Sequence, residues 1–338
     1  MEFPAPLALA LPCLVVDHDG AGGEPCTTLL DVSKPEHQYQ HHACDDDAHA
    51  LLRKMRRWMT PHGWVLSCDT SILATFLWNP QTSEKIHLPP LMPGQDIPLQ
   101  SSCSLSGKPS TAGFTVVAVE PEKTVVWYCH VGGDAAGGRG WVRHEYDVGS
   151  VTFPVVNGRR LQGKKFITRL TAVGGKFYFF KSHDELGVLE FSPAPLHSSV
   201  PVPAIERPPG TTCMAPSFVE LGGELYLVSA FLHYDIGGAT SVLGCGVYKM
   251  DLTGKRWRKV HNIGDRAFLM CPLYFGGCCS ATVSGLRPNC VYWMGLCDDN
   301  LLRVFDIDGN EGTHGVHDPC KDIPGSIRNA MWMLPTDP

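Results

Sequence analysis

A glycine–aromatic motif that recurs along the chain constrains the fold most strongly. Two adjacent glycines precede a charged residue and an apolar run at Gly174–Phe179, and the same pattern recurs at Gly222–Leu227. The tyrosines of the two copies, Tyr178 and Tyr226, are 48 residues apart. Paired glycines accept the positive φ of a tight hairpin, and aromatic and β-branched residues favour strands. The motif therefore predicts a β-hairpin that is repeated at a regular interval.

The segment Val219–Val260 shows what one repeat contains. Its pattern predicts strands at Leu225–Val228 and Gly246–Leu252, a turn at Thr253–Lys255 and a last short strand at Arg256–Val260. Strands that follow one another through hairpins form one antiparallel sheet. Such a sheet cannot cover both of its faces alone, so it needs neighbours of the same kind.

Comparable units occupy most of the chain, and Gly 35 and Pro 27 supply the many turns that they need. The units are His62–Leu88, Phe114–Tyr146, Phe166–Phe191, Val219–Val260 and Cys279–Asp306. With the N-terminal strands counted as a further unit, the sequence predicts an all-β, kelch-like β-propeller of six or seven four-stranded blades, at about 50 residues per blade. A pair of β-sandwiches is the alternative fold, but the glycine–tyrosine repeat favours the propeller.

The two ends of the chain are expected to meet in this single domain, which spans residues 1–338. Residues 1–60 form its irregular N-terminal part, with strands at Leu11–Val16 and Thr27–Val32 and a short helix or loop at Ala48–Met59. The apolar run Ala330–Leu334, within a closing strand and tail at 330–338, is expected to pair with the N-terminal strands. Closure matters because an open ring leaves sheet edges unpaired.

Composition excludes several classes of partner and compartment. A net charge of −6 argues against a nucleic-acid binder, which needs a basic face, and no apolar run is long enough to span a membrane. The first residues lack the basic start of a signal peptide and are interrupted by prolines. Fourteen cysteines without a CxxC pair are therefore expected to be buried thiols in a reducing compartment, the cytoplasm and/or the nucleus.

Two clusters of metal-binding residue types have spacings that match no established site. One is the loop at residues 37–49, and the other comprises His314, His317 and Cys320. A third segment, Asp306–Gly312, resembles a calcium loop but lacks its terminal glutamate. We expect polar loops and turns at all three, with no metal or cofactor; metal binding is the alternative for the first, whose residues are His37, His41, His42, Cys44, Asp45, Asp46, Asp47 and His49.

No catalytic residue is predicted, because the chain has neither a nucleophile elbow nor a phosphate-binding loop. The candidate partner-binding residues are Asp265 and Arg266, two opposite charges between apolar Ile263 and Phe268. An ion pair or a turn cap is the structural alternative for this pair. The aromatic residues of the strands are expected to pack between blades, and they are Trp64, Trp78, Trp127, Tyr178, Tyr226, Tyr248, Trp257 and Tyr292.

Several longer motifs resemble a plant family of propellers of unknown function that are often called kelch-like. The motifs are TFLWNP and KIHLPPL within Thr75–Leu91, IGDRAFLM at Ile263–Met270 and CSATVSGLRPNCVYWM at Cys279–Met294. The similarity covers about residues 11–335. Many members of that family carry an F-box ahead of the propeller, and some inhibit a shaggy-type kinase in brassinosteroid signalling. The resemblance implies a regulatory role in signalling or protein turnover, although no F-box-like segment precedes the first predicted strand here.

These observations favour a non-enzymatic scaffold that holds a protein partner with loops at one rim of the ring. A hydrolase with its site in the central channel is the alternative, and an adaptor for ubiquitin ligation is a third possibility. The lining of the channel distinguishes the first two. An enzyme should bring several charged side chains together there, whereas a scaffold should present an apolar or aromatic patch at its rim.

Overall fold

The computed structural model describes residues 11–20, 22–33, 55–109, 113–132, 140–154, 160–192, 194–235, 240–271, 275–295, 301–308 and 313–336. Within these residues the regular structure consists of 26 β-strands. A helix long and apolar enough to cross a membrane does not occur among the described residues. The strands β1 to β26 are, in order, Cys13–Asp19, Pro25–Asp31, Arg56–Met59, Val65–Asp69, Ala74–Trp78, Lys85–His87, Ser102–Leu105, Phe114–Val119, Val125–Val131, Val142–Glu145, Ser150–Pro154, Arg160–Lys164, Thr171–Val173, Lys176–Phe180, Glu185–Phe191, Pro195–Pro201, Cys213–Leu221, Glu224–Tyr234, Thr240–Asp251, Arg256–Lys259, Arg266–Met270, Gly276–Ser280, Cys290–Met294, Leu302–Asp306, Thr313–His317 and Ile327–Met333.

Six sheets form the blades of a propeller. Blade 1 contains β2, β1 and β26; blades 2, 3, 4 and 5 contain β3–β6, β7–β10, β13–β16 and β17–β20; blade 6 contains β22, β21, β23, β24 and β25. The innermost strands β26, β3, β7, β13, β17 and β22 follow one another around a central channel. The predicted fold is confirmed for the described residues, and the blade number is six.

Apolar side chains between neighbouring blades form the core. Tyr178 lies in the cluster between blades 4 and 5, and Tyr226 packs on the cluster between blades 5 and 6, with its ring 5.6 Å from that of Phe268. Burial of one such side chain stabilises the fold by about 1.5–3 kcal/mol. The other strand aromatics named above also belong to these clusters between blades.

The two ends of the chain close the ring within blade 1. Strand β26 pairs antiparallel with β1, with Ala330 opposite Val16 and Met333 opposite Cys13. The segment Ala48–Met59, predicted to be a helix or loop, instead ends in β3, the inner strand of blade 2; residues 48–54 lie outside the described residues. Pairing with β4 makes Arg56–Met59 a strand. The sequence did not predict it, because four residues are too few to show the alternation of a strand.

Blade 6 departs from the predicted order of strands. A strand was expected at Cys279–Val283, but β22 is Gly276–Ser280, and β21 pairs parallel with β23. Glycine is an unfavourable residue in a strand. Position 276 nevertheless requires glycine, because a Cβ there would lie 2.8 Å from the carbonyl oxygen of Phe218. Close contact with blade 5 therefore selects a strand that local propensity does not indicate.

A short hairpin separates blades 3 and 4. The predicted strand Phe166–Val173 is present only as β13, and the preceding residues form the two-stranded sheet of β11 and β12. Tyr146 fixes the base of this hairpin, because its hydroxyl accepts a hydrogen bond from the backbone N–H of Ile167 at 2.7 Å. The hairpin is an insertion between two blades.

A buried ion pair ties the closing blade to blade 2. Arg57 on β3 donates to the Asp17 carboxylate on β1, and also to the Thr27 hydroxyl on β2 at 3.2 Å. The Arg57 side chain is only 9% exposed. Removal of one partner from such a pair takes away part of the charge compensation of the other.

We expect Asp17→Ala to lower the free energy of unfolding by about 3 kcal/mol, measured by urea denaturation, because the buried Arg57 guanidinium would lose its bond to the Asp17 carboxylate. The matched control is Glu145→Ala, which breaks the exposed pair between Glu145 and Arg143. That variant should leave the urea midpoint unchanged. Equal shifts for the two variants would show that Arg57 and Asp17 do not hold the closing blade.

Candidate functional site

A groove of about 900 Å³ runs along the outer edge of blade 5. We call it the rim groove. It lies between the connection from blade 4 to blade 5, the edge of β19 and the end of β24 in blade 6. The residues that line it are Pro203–Pro209, Phe231, Leu243–Tyr248, Trp257, Lys259, Val260 and Phe305–Ile307.

Unequal strand lengths create the rim groove. Strand β19 has 12 residues, but the outer strand β20 has four and pairs only with Tyr248–Asp251. The chain makes one more backbone bond, from Val260 N–H to the Val247 carbonyl at 2.9 Å, and then turns towards blade 6. Among the described residues, therefore, no strand of blade 5 lies on the outer side of the first half of β19.

The walls of the rim groove combine apolar and aromatic side chains with polar groups in similar proportion. Leu243, which is 43% exposed, lines the end of the groove that we call upper; Trp257 and strand β20 lie at the lower end. Trp257 stacks on Phe218 with ring centroids 5.7 Å apart, which holds its indole at the lower end. Gly246 is required between them, because a Cβ there would lie 2.8 Å from the ring of Tyr248. The groove thus places aromatic and apolar side chains at the rim, next to polar and charged ones.

Basic side chains surround the lower end of the rim groove. Strand β20 and the turn before it carry four cations, Lys255, Arg256, Arg258 and Lys259. Asp251 pairs with the two arginines, at 3.6 Å to Arg256 and 2.5 Å to Arg258. The backbone N–H of Gly254 and then Arg258 lower the pKa of Asp251 to about 2, so it stays ionised. The four cations and the one carboxylate together therefore have a net charge of +3.

A second cavity, of about 560 Å³, opens at one end of the central channel. We call it the channel mouth. Six ionisable side chains from four blades line it. They are His62 and Glu84 of blade 2, Lys108 of blade 3, Glu220 of blade 5, and Arg266 and Cys278 of blade 6. The C-terminal residues Pro335 and Thr336 complete its wall.

His62 is held in a tight turn at the channel mouth. The next residue, Gly63, has φ of 75°, and a Cβ there would lie 2.7 Å from the backbone of Pro335. Burial lowers the pKa of His62, which the nearby Glu220 carboxylate partly opposes and the Lys108 ammonium reinforces. Glu220 itself accepts a bond from the Gly223 N–H at 2.6 Å.

The candidate residues Asp265 and Arg266 point to different places. The Asp265 carboxylate accepts hydrogen bonds from the Ser280 hydroxyl at 2.8 Å and from the Thr282 N–H and hydroxyl at 2.9 and 2.6 Å. These bonds lower its pKa and fasten the crossover from β22 to β23. Arg266 lines the channel mouth instead. Their role in partner binding stays a prediction.

Metal-binding groups do not assemble in the part of the chain that the structure describes: no three His, Cys, Asp or Glu side chains are placed to share an ion there. The loop at 37–49 lies outside the described residues, as do residues 309–312 of the predicted turn and the side chain of His314. The described cysteines are all free thiols, and burial raises the pKa of Cys245 in the rim groove to about 12.

Sequence reasoning missed the residues of the rim groove. It began the central strand of blade 5 at Gly246, whereas β19 begins at Thr240. The β-branched residues Thr240 and Val242 favour a strand, but the glycines at 244 and 246 conceal its continuity. An early start of β19 would have revealed that β20 is too short to cover it.

A family model for the KIB1-4 beta-propeller matches residues 30–318. The chain belongs to the KIB1-4 beta-propeller family. The match includes both β19 and β20, so the rim groove lies within the KIB1-4 segment. Strand β26, which closes the ring, follows that segment. No curated protein matches the chain.

Solved structures similar to this KIB1-4 propeller are distant. A putative 6-phosphogluconolactonase from Bacteroides fragilis is 11% identical, with 97% of this chain and 99% of that chain covered and a TM-score of 0.39. The allergen Mala s 1 of Malassezia sympodialis is 11% identical, with coverages of 78% and 89% and a TM-score of 0.28. Dihydro-heme d1 dehydrogenase NirN is 12% identical, with coverages of 94% and 75% and a TM-score of 0.31. Similarities this low carry no argument about function.

The pKa of His62 provides a test of the channel mouth. Because the folded pKa lies below the unfolded one, the unfolded chain binds the proton first on acidification, and stability falls as the pH drops from the unfolded pKa towards the folded one. NMR titration should give His62 a midpoint below that of the urea-unfolded chain. Glu220→Gln should lower the midpoint further, and Lys108→Gln should raise it. A His62 midpoint that neither variant moves would contradict this arrangement of charges.

Proposed function

We propose that the chain is a non-enzymatic protein-interaction scaffold that holds a segment of a partner protein in its rim groove. One observation carries the proposal: a groove of about 900 Å³ with apolar and aromatic side chains in its walls lies beside a strand edge that no described strand of blade 5 covers. Apolar grooves with aromatic anchors are where protein partners gain most of their binding energy. The closed ring behind the groove supplies a rigid support.

We also propose a regulatory role in signalling or protein turnover, in the cytoplasm and/or nucleus. Its support is the motif resemblance to plant kelch-like propellers, whose members include F-box proteins and kinase inhibitors, together with the free thiols of the described cysteines. A role as an adaptor for ubiquitin ligation requires an F-box supplied by further sequence or by another protein. Co-purification with a Skp-type linker protein tests that role, and its absence from the complex would remove it.

Substitution of Leu243 tests the scaffold directly. Leu243→Ser should reduce capture of the specific partner from an extract of the source organism by about tenfold or more, because it removes an exposed apolar contact worth about 1.5–3 kcal/mol. Leu252→Ser is the matched control, since Leu252 is 47% exposed but lies outside the groove. Quantitative mass spectrometry of the captured proteins gives the measurement. Equal capture by both variants would remove the rim groove as the binding site.

The channel mouth favours a second candidate, a hydrolase. A neutral His62 near the Glu220 carboxylate has the composition of a general base with a group that orients it, and Arg266 and Lys108 are cations that stabilise developing negative charge. We assign water as the attacking group, activated by His62 as the general base.

The two functions predict different results with a panel of ester substrates. The scaffold predicts no hydrolysis by the purified chain above that of its His62→Gln variant, because no reaction depends on this side chain. Hydrolysis that is lost in His62→Gln, with the fold intact by circular dichroism, would establish the hydrolase and overturn the scaffold as the sole function. Lys255→Gln, a substitution far from the channel mouth, controls for contaminating activity.

A further inference from the structure

We infer that the rim groove takes an extended acidic peptide segment, which adds to blade 5 as a strand along the open edge of β19. The inference rests on the proposed function and specifies its partner class. It depends on three features of the described residues: the direction of backbone groups in β19, the apolar and aromatic side chains on both sides, and the excess of positive charge beside the groove.

The backbone of β19 offers hydrogen bonds to an added strand. In an antiparallel sheet, consecutive residues direct their N–H and C=O groups to opposite sides. The Val247 carbonyl points outward, since it accepts a bond from Val260. Cys245, two residues earlier, therefore also directs its N–H and C=O outward, into the groove. No backbone partner for these groups occurs in the part of the chain that is described.

A bulge limits how far an added strand can pair. The register of β18 and β19 shifts so that Phe231 faces Gly244 while Leu232 faces Val242, and Leu243 has no residue opposite. A bulge increases local twist and turns the edge away. Pairing is thus restricted to the few residues between Leu243 and Val247, which suits a short segment of a partner rather than a whole sheet. Recognition through an open strand edge is a common mode of peptide binding.

The two walls require apolar residues at the centre of the segment. Side chains of an added strand alternate between its two faces. On the side of blade 4 they meet Ile205 and the aromatic rings of Tyr248 and Trp257, and on the side of blade 6 they meet Phe305 and Ile307. Burial of small or β-branched side chains against both walls would exclude water from the backbone bonds at Cys245.

The charges indicate that the flanks of the segment are acidic. Lys259 and Arg207 line the groove, and Arg256 and Arg258 stand beside it with side chains 58% and 60% exposed. Two carboxylates near the groove, those of Asp251 and Asp306, already contact other side chains. Asp251 pairs with both arginines of β20, whereas Asp306 accepts a bond from the Cys290 thiol at 3.0 Å and lies 3.4 Å from Arg287.

Glu206, next to Arg207, is a further carboxylate in the groove lining and offsets part of the positive charge. The excess of positive charge is confined to this region, because the whole chain has a net charge of −6. Acidic flanks would lie close to several cations, and charges interact over about 8 Å at physiological salt. A second copy of the chain is a poorer occupant, since pairing of two β19 edges would bring two basic β20 strands together.

The test starts from the full chain and a displayed library of random peptides of about 10 residues, roughly the length of a long strand. Selected peptides should have an apolar centre and acidic flanks. Their affinity, measured by fluorescence anisotropy, should fall about tenfold or more when a central backbone nitrogen of the peptide is methylated, because that change removes a strand hydrogen bond without altering the protein. Lys259→Glu should weaken binding more than Lys255→Glu, which changes an exposed lysine outside the groove.

The outcomes separate the inference from the proposed function. If Leu243→Ser abolishes binding but methylation and Lys259→Glu do not, the groove binds a partner and the added acidic strand is wrong. If Leu243→Ser has no effect, the rim groove is not the binding site and both proposals fail. Enrichment of basic peptides overturns the charge argument. A dimer in sedimentation experiments that Leu243→Ser dissociates would identify a second copy as the occupant and overturn the inference.

Discussion

Closure of the ring by the two ends of the chain is the constraint on which the rest of the structure depends. Strand β26 supplies the inner strand of blade 1, and β1 and β2 supply its outer strands, so this blade exists only when residues near both ends pair. The closing blade is fastened on both sides. Arg57 connects it to blade 2, and the Trp332 indole donates to the Met270 carbonyl of blade 6 at 3.2 Å. Without this pairing, two blade faces would lose their neighbours and the inner edges would be exposed.

Both candidate sites follow from that closed ring in different ways. The channel mouth collects His62, Lys108, Glu220 and Arg266 from four blades, and only a closed circle of inner strands brings them to one cavity. The rim groove arises where one blade departs from regularity. In blade 4 the outer strand β16 pairs along the whole of β15, whereas in blade 5 β20 covers only a third of β19. The regular parts of the propeller thus provide stability, and the irregular blade carries the groove for which we propose partner binding.

Much of the fold could be predicted because its determinants are local. The glycine pairs at 174–175 and 222–223 have the positive φ values of tight turns, and the tyrosines that follow them pack between blades. The sites could be predicted only in part. Asp265 and Arg266 are adjacent and were treated as one candidate. Asp265 lies in the bend before β21 and bonds to the crossover of blade 6, whereas Arg266 begins β21 and lines the channel mouth. Nothing in the sequence marked Leu243 and Cys245 as groove residues. Their position in the groove depends on the shortness of β20, which pairs only with Tyr248–Asp251.

The sequence by itself determined the repeat, the strand–turn order of most blades and the apolar character of the closing run, since each depends on residues close together in the chain. Only the tertiary structure decided that there are six blades, that Gly276–Ser280 is an inner strand and that β21 lies parallel to β23. It also decided which charges share the channel mouth. These features depend on pairings between residues far apart in sequence, where the curvature of the ring and close contact between blades outweigh local propensity.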